Sequence, residues 1–183
     1  MIAVIDYGAG NLFSVQNALN YLELPNMITN KAEDLRNADR IILPGVGAFG
    51  DAAKKLRSSG LVELITEEAK NGKPFLGICL GMQLLFEKGF EYGEHEGLGF
   101  LKGNVIPLEN KIPENLNIPH MGWNQVTDVQ NHFLFEHIPE ETDFYFVHSY
   151  FAMPENREDI LGVTNYGMNF ASVIGNSQVM GVQ

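Results

Sequence analysis

Four short apolar runs divide the first half of the chain, and their spacing constrains the fold more than any other feature. They are Ile2–Ile5, Met27–Thr29, Arg40–Leu43 and Pro74–Ile78, with Pro44 placed to stop the third. Between them apolar residues recur at helical spacing. Asn11 is positioned to cap a helix that carries Leu12, Val15, Leu19 and Leu22 on one face and is closed by Pro25. Residues 51–56 and 61–69 read as two more helices, the second ending at Asn71-Gly72, and a helix from about Leu80 to Phe86 directly follows the fourth run. Strands alternating with helices at this spacing imply a mostly parallel sheet covered on both faces. In the second half Gly and Pro punctuate the chain, and strands such as Tyr145–Ser149 and Gly162–Thr164 come without long helices. That predicts an antiparallel extension of the same sheet. Residues 1–183 are expected to form a single three-layer α/β domain.

Composition removes several function classes. With 183 residues and 45% hydrophobic content, a core can form without disulfides or a structural metal. Twelve basic against 23 acidic residues give a net charge of −11, a poor basis for binding nucleic acid or an anionic membrane. A single cysteine excludes an internal disulfide framework and any zinc site built on paired cysteines, which makes a reducing, cytoplasmic setting the default. No stretch reaches the roughly 18 apolar residues of a membrane span. The first residues are too short, and lack the basic flank, for a signal peptide. Val179–Gln183 reads as an apolar strand with no turn or polar tail after it, the mark expected of a domain cut short.

The strongest local signal is Gly77-Ile-Cys-Leu-Gly81, set between a buried strand and a helix. This is a nucleophile elbow with Cys79 in place of serine. A nucleophile on so sharp a turn has strained backbone angles, and residues two positions away must lack side chains. The helix beginning at Leu80 would aim N–H groups at the sulfur, lower its pKa, and set the Leu80 N–H where an oxyanion forms. A lone cysteine is otherwise most often inert and buried; the paired glycines and the strand–helix junction favour the nucleophile.

Pro44-Gly-Val-Gly47 follows the third strand at the edge where parallel sheets bind ligands. It could supply a second oxyanion donor, or be a plain glycine turn. Gly8-Ala-Gly10 has the beginning of a dinucleotide fingerprint, but Phe13 stands at the third glycine and Asn30-Lys31 where an acidic residue belongs, so a tight turn into a helix explains it better. Of the five histidines, 95, 120, 132, 137 and 148, none has metal-ligand spacing to another or to Cys79, and no metal or cofactor is expected. His148 is the best local candidate for a general base, with a core or supporting histidine as the equal alternative. Trp123, within Pro119-His-Met-Gly-Trp-Asn124, is either an exposed interface anchor or a buried plug at the sheet edge.

Taken together, Asp6–Leu12, Ile42–Phe49, Gly77–Phe86, Pro119–Asn124 and Tyr145–Tyr150 resemble, in order and over nearly the whole chain, the glutamine amidotransferase subunits of imidazole glycerol phosphate synthase, a branch of the class I, triad-type amidotransferases. Met82 after Cys-Leu-Gly separates the chain from related branches that usually carry His there. The resemblance implies a glutaminase. Cys79 would attack the side-chain amide of glutamine. Leu80 and the Val46–Gly47 peptide would hold the oxyanion, the latter after reorienting. Gln83 and Glu91 would hold the head group, and Ser149 and Tyr150 the carboxylate. Ammonia would pass to a (β/α)8-barrel cyclase in a heterodimer, with His120, Met121, Gly122, Trp123 and Asn124 as the partner-facing loop. The implied setting is histidine biosynthesis.

The family's catalytic His and Glu lie in a His-Pro-Glu motif shortly after a Gly-x-Gln-Phe strand, whereas the sequence reads Gly181-Val-Gln183. The triad His and Glu are therefore expected beyond Gln183, His148 is not promoted in their place, and the 183-residue chain as it stands is expected to turn glutamine over negligibly. Three rival readings are a non-catalytic partner-binding module, a different cysteine hydrolase on the same elbow, and a glutaminase feeding a paralogous synthase for sugar amidation.

Overall fold

The structure, a computed structural model, describes residues 1–127, 129–139, 141–176 and 178–183. Strand β1 (Ile2–Ile5) leads into α1 (Leu12–Tyr21), β2 (Asn26–Thr29), α2 (Ala32–Asn37) and β3 (Arg40–Gly45), followed by α3 (Phe49–Ser58), α4 (Val62–Lys70) and β4 (Phe75–Cys79). A single turn, α5 (Leu80–Gln83), then gives way to β5 (Phe86–Gly89), β6 (His95–Glu96), β7 (Leu101–Pro107), β8 (His120–Gln125), β9 (Asp143–His148), β10 (Tyr150–Pro154), β11 (Ile160–Asn165), β12 (Asn169–Gly175) and β13 (Val179–Val182). The main sheet runs β2-β1-β3-β4-β13-β12-β10-β7-β5-β6, with β11 on the outside of β12. From β2 to β13 every pairing is parallel, and β12, β10 and β7 continue it antiparallel. The expected architecture is therefore present.

Burial explains the layering. β1 is buried along its whole length, with Ala3 and Ile5 on the face covered by α3 and α4 and Val4 on the face covered by α1. Asn11 caps α1 as expected, its side chain accepting from the Ser14 N–H. Leu19 is buried, but Leu22 is the exposed C-cap residue, not part of the apolar face.

Three expectations need correction. Pro44 does not stop the third strand, which continues to Gly45 opposite Cys79. The Pro44 carbonyl accepts from the Tyr7 hydroxyl at 2.9 Å, on the side that β1 has already left, so the missing N–H costs no ladder bond. The helix after Cys79 ends at Gln83, short of Phe86. Leu84, Leu85 and Phe86 are all fully buried, and their carbonyls accept from Leu98, Phe100 and Gly99, which draws the chain into β5. Finally, the 145–149 strand does not join the main sheet. β9 pairs with β8 in a separate antiparallel ribbon, and only from Tyr150 onward does the chain enter the main sheet as β10.

Candidate functional site

Parallel strands β3, β4 and β13 end side by side. Gly45 lies opposite Cys79, and Val182 opposite Ile78. At the tip of β4, Cys79 has φ 55° and ψ −115°, a conformation that costs a non-glycine residue about 1–3 kcal/mol. Close packing holds it there. A Cβ on Gly77 would lie 2.6 Å from the Gly81 carbonyl oxygen, and one on Gly81 would strike the Leu43 carbonyl of β3. Both elbow glycines are thus required, as the spacing implied.

The sulfur is half-buried, near the Leu80 N–H and 3.7 Å from Nε2 of Gln183, which donates to it. Burial pushes the thiol pKa up, and the Leu80 N–H and Gln183 only partly offset this. The expectation of a lowered pKa is therefore overturned: α5 is one turn long, and its few N–H groups do not outweigh desolvation. Tyr7 is buried nearby, its phenol raised by desolvation and further by Cys79.

The remaining candidates divide into those that gather at the sulfur and those that do not. Val46 and Gly47 form an exposed loop starting one residue past the Gly45–Cys79 pair; Gly47 has φ +96° and no atom near its Cβ position. Gln83 is only 5% exposed, so it is no solvated helix residue; its Nε2 donates to the Tyr150 carbonyl at 3.2 Å and to Oε1 of Gln183 at 2.9 Å. One Glu91 oxygen accepts from the Phe49 N–H at 2.6 Å, tying it to the first turn of α3 just beyond the Val46–Gly47 loop. Glu91 and Ala48 also line a cleft of about 630 Å³. Tyr150 has its phenol raised by burial and then by the Glu91 carboxylate, while Ser149 accepts at its carbonyl from the Leu108 N–H.

His148 does not serve the sulfur. Its Nδ1 lies 2.9 Å from the Tyr150 carbonyl and its Nε2 3.0 Å from Nδ1 of His120, whose Nε2 is 2.7 Å from Oδ1 of Asn124. These three contacts need three hydrogens, and two neutral imidazoles carry two. Burial lowers the pKa of both rings, that of His148 to about 4, and two neutral imidazoles complete all three contacts when the Asn124 amide, turned over, supplies the third hydrogen to His120 Nε2. His148 is thus the supporting histidine of the two alternatives.

Residues 120–125 are a strand, not a loop. Pairing Met121 with Val147 and Trp123 with Tyr145 places four exposed apolar side chains on one face of the β8–β9 ribbon, and Trp123 is 68% exposed. Gly122 pairs with Phe146 on the other face. His120 is fully buried there, stacked on Tyr166 with ring centroids 3.9 Å apart, so it can act on an interface only from behind. Sequence reasoning missed Gln183 and Tyr7 at the sulfur. Neither lies in a pattern with a chemical meaning of its own; only the register of β13 on β4 and the loop after β1 bring them there.

Comparison with known proteins gives a consistent outcome. The model of the glutamine amidotransferase class-I family matches residues 3–183. "Imidazole glycerol phosphate synthase subunit HisH" of Sulfurimonas denitrificans is 49% identical over 184 residues, covering 100% of this chain and 88% of the relative. The proteins of the same name from Desulfitobacterium hafniense (47% identical, 100% and 85% covered) and Aquifex aeolicus (48%, 98% and 86%) are similarly close. Among solved structures, a "Crystal structure of glutamine amidotransferase" superposes with a TM-score of 0.72 at 16% identity, covering 100% of this chain and 88% of the other. "Structure of PurLQS from Thermotoga maritima" gives 0.68 at 20%, covering 100% and 85%. At these identities the structures speak for the fold alone.

Proposed function

The chain belongs to the class-I glutamine amidotransferase family, and from that premise we propose that it is the glutaminase subunit of an imidazole glycerol phosphate synthase, releasing ammonia for a barrel cyclase in histidine biosynthesis. The observation that carries this reading is the strained Cys79 on an elbow whose two glycines admit no side chain, with the Leu80 N–H and Gln183 Nε2 at its sulfur. Relatives at 45–49% identity over at least 98% of this chain bear the name of that synthase subunit, which favours it over a sugar-amidating paralogue or another hydrolase.

In this mechanism the Cys79 thiolate attacks the amide carbon of glutamine. The carbonyl oxygen becomes an oxyanion, held by the Leu80 N–H and, after rotation of the Val46–Gly47 peptide, by a second N–H. The proton that the thiol gives up to the histidine base of the family's His-Pro-Glu motif passes to the departing amine, which leaves as ammonia; water then hydrolyses the glutamyl thioester to glutamate and free thiol. Gln83 and Glu91 hold the head group, and the backbone of Ser149 and Tyr150 the carboxylate. Burial favours the protonated thiol in the resting site, so forming the attacking thiolate needs a base to take its proton.

The partner is received on the exposed Met121, Trp123, Tyr145 and Val147 face, backed by Gly122, Asn124 and buried His120. An aromatic centre with apolar neighbours is the usual make-up of an interface anchor. Among the described residues no helix is long and apolar enough to cross a membrane; in this reading the subunit works in the cytoplasm as one half of a heterodimer.

The test is complementation. A bacterial strain lacking its own synthase glutaminase subunit, supplied with the full-length protein in low-ammonium medium without histidine, should grow. The Cys79→Ala variant should not. Growth supported equally by that variant would refute the reading.

A further inference from the structure

Gln183 reaches the sulfur through strand register. Val182 pairs with Ile78, so the next residue lies beside Cys79, and the Gln183 N–H is fixed to the Ser172 carbonyl at 2.8 Å. Side chains alternate along a strand. A Cβ on Gly181 would meet Cγ of Met82 at 2.6 Å, so that position faces α5, and Gln183, two residues on, faces the same way.

Counting hydrogens shows what its carboxamide does there. Oε1 of Gln183 accepts from Gln83 Nε2, and Nε2 of Gln183 donates to Cys79 Sγ. The second Nε2 hydrogen of Gln83 goes to the Tyr150 carbonyl. Both Gln83 amide hydrogens are therefore committed to acceptors, and a flipped amide would press oxygen against oxygen at both contacts. Gln83 Oε1 has no partner among the described residues and is the one polar atom that side chain can offer to a ligand.

We propose that Gln183 is a positioning residue for both halves of the site: it fixes the Gln83 amide with its oxygen presented as an acceptor for an N–H donor of the substrate amino acid, and it gives the Cys79 thiolate a side-chain donor beside the Leu80 N–H. The substrate half rests on the glutaminase reading, and the thiol half does not.

Two variants separate the halves. Gln183→Glu keeps an acceptor for Gln83 but replaces the donor at sulfur with a carboxylate. Gln183→Met removes donor and acceptor while keeping length. The rate of Cys79 alkylation by iodoacetamide, followed against pH, reads the thiolate without substrate. The profile should move up by about one pH unit or more in Gln183→Glu and by less in Gln183→Met. Protection of Cys79 by L-glutamine reads the other half, and its half-effective concentration should rise roughly tenfold in Gln183→Met. Alkylation profiles of both variants superimposed on the parent would overturn the proposal, as would a lowered melting temperature with neither readout changed. Absence of glutamine protection in the parent protein would sink the glutaminase reading and with it the substrate half, leaving the thiol half to stand or fall on the alkylation profiles.

Discussion

Replacing His148 by Gln should make the protein less sensitive to mild acid. The His148 ring is buried, and its pKa falls from 6.5 to about 4 chiefly through desolvation, helped by His120 and opposed by the Tyr150 carbonyl. A depressed histidine pKa means that the unfolded chain binds a proton that the folded chain refuses. Its contribution to stability is fully present above pH 6.5 and is lost as pH falls from there towards 4. With those two values, lowering the pH from 7.5 to 4.5 should cost the parent protein about 2.5 kcal/mol through this one ring. Other groups titrate in the same range, including the carboxylates, and Asp39 is held low by the N-terminal ammonium. They are shared by the Gln variant and cancel in the difference between the two proteins. Urea denaturation followed by far-UV circular dichroism at both pH values measures it. The parent should lose about 2 to 3 kcal/mol more than His148→Gln over this interval. A difference under about 1 kcal/mol, or one of opposite sign, would refute the picture of a neutral, buried His148.

Two further outcomes follow from the geometry. Gly81→Ala should destabilise by at least about 3 kcal/mol, because the new methyl lands on the Leu43 carbonyl of the adjoining strand and the backbone must move; a urea midpoint within error of the parent would show that the elbow is looser than described. Trp123→Ala should weaken association with the proposed barrel partner by roughly 2 kcal/mol or more, measured by titration calorimetry, while leaving the melting temperature within a degree or two, because the indole is mostly exposed and packs edge-on against the exposed Tyr145.

Those features legible in the sequence were the ones governed by local rules. Alternation of apolar runs with helical spacing is enough to predict β1, α1, β3, α4 and β4, because one element alone decides each pattern. The elbow was readable for the same reason: Gly77 and Gly81 exclude side chains within five residues of Cys79. What escaped depends on partners distant in the chain. Leu84–Phe86 continue a helical pattern, and only hydrogen bonds from residues 98–100 hold Leu84 and Leu85 as a turn and start β5 at Phe86. The thiol pKa was misjudged because burial is a property of the assembled site, whereas a helix start is visible locally. His120 and His148 could each be singled out, but not their pairing, which is set by the register of the β8–β9 ribbon. Gln183 is separated from Cys79 by 104 positions and had no motif to mark it.

Gly45 and Gly47, two residues apart, sit in opposite mechanical circumstances. A Cβ at Gly45 would lie 2.6 Å from the Gly81 nitrogen, so β3 is clamped against the elbow; around Gly47 there is open space. The boundary between the clamped and the unencumbered part of the site thus falls within a single residue, Val46. A peptide rotation there spends nothing in the core and leaves the nucleophile where it is. Under the proposed rotation, substitutions that tune the loop would leave the fold intact, whereas those that loosen the elbow would cost stability first.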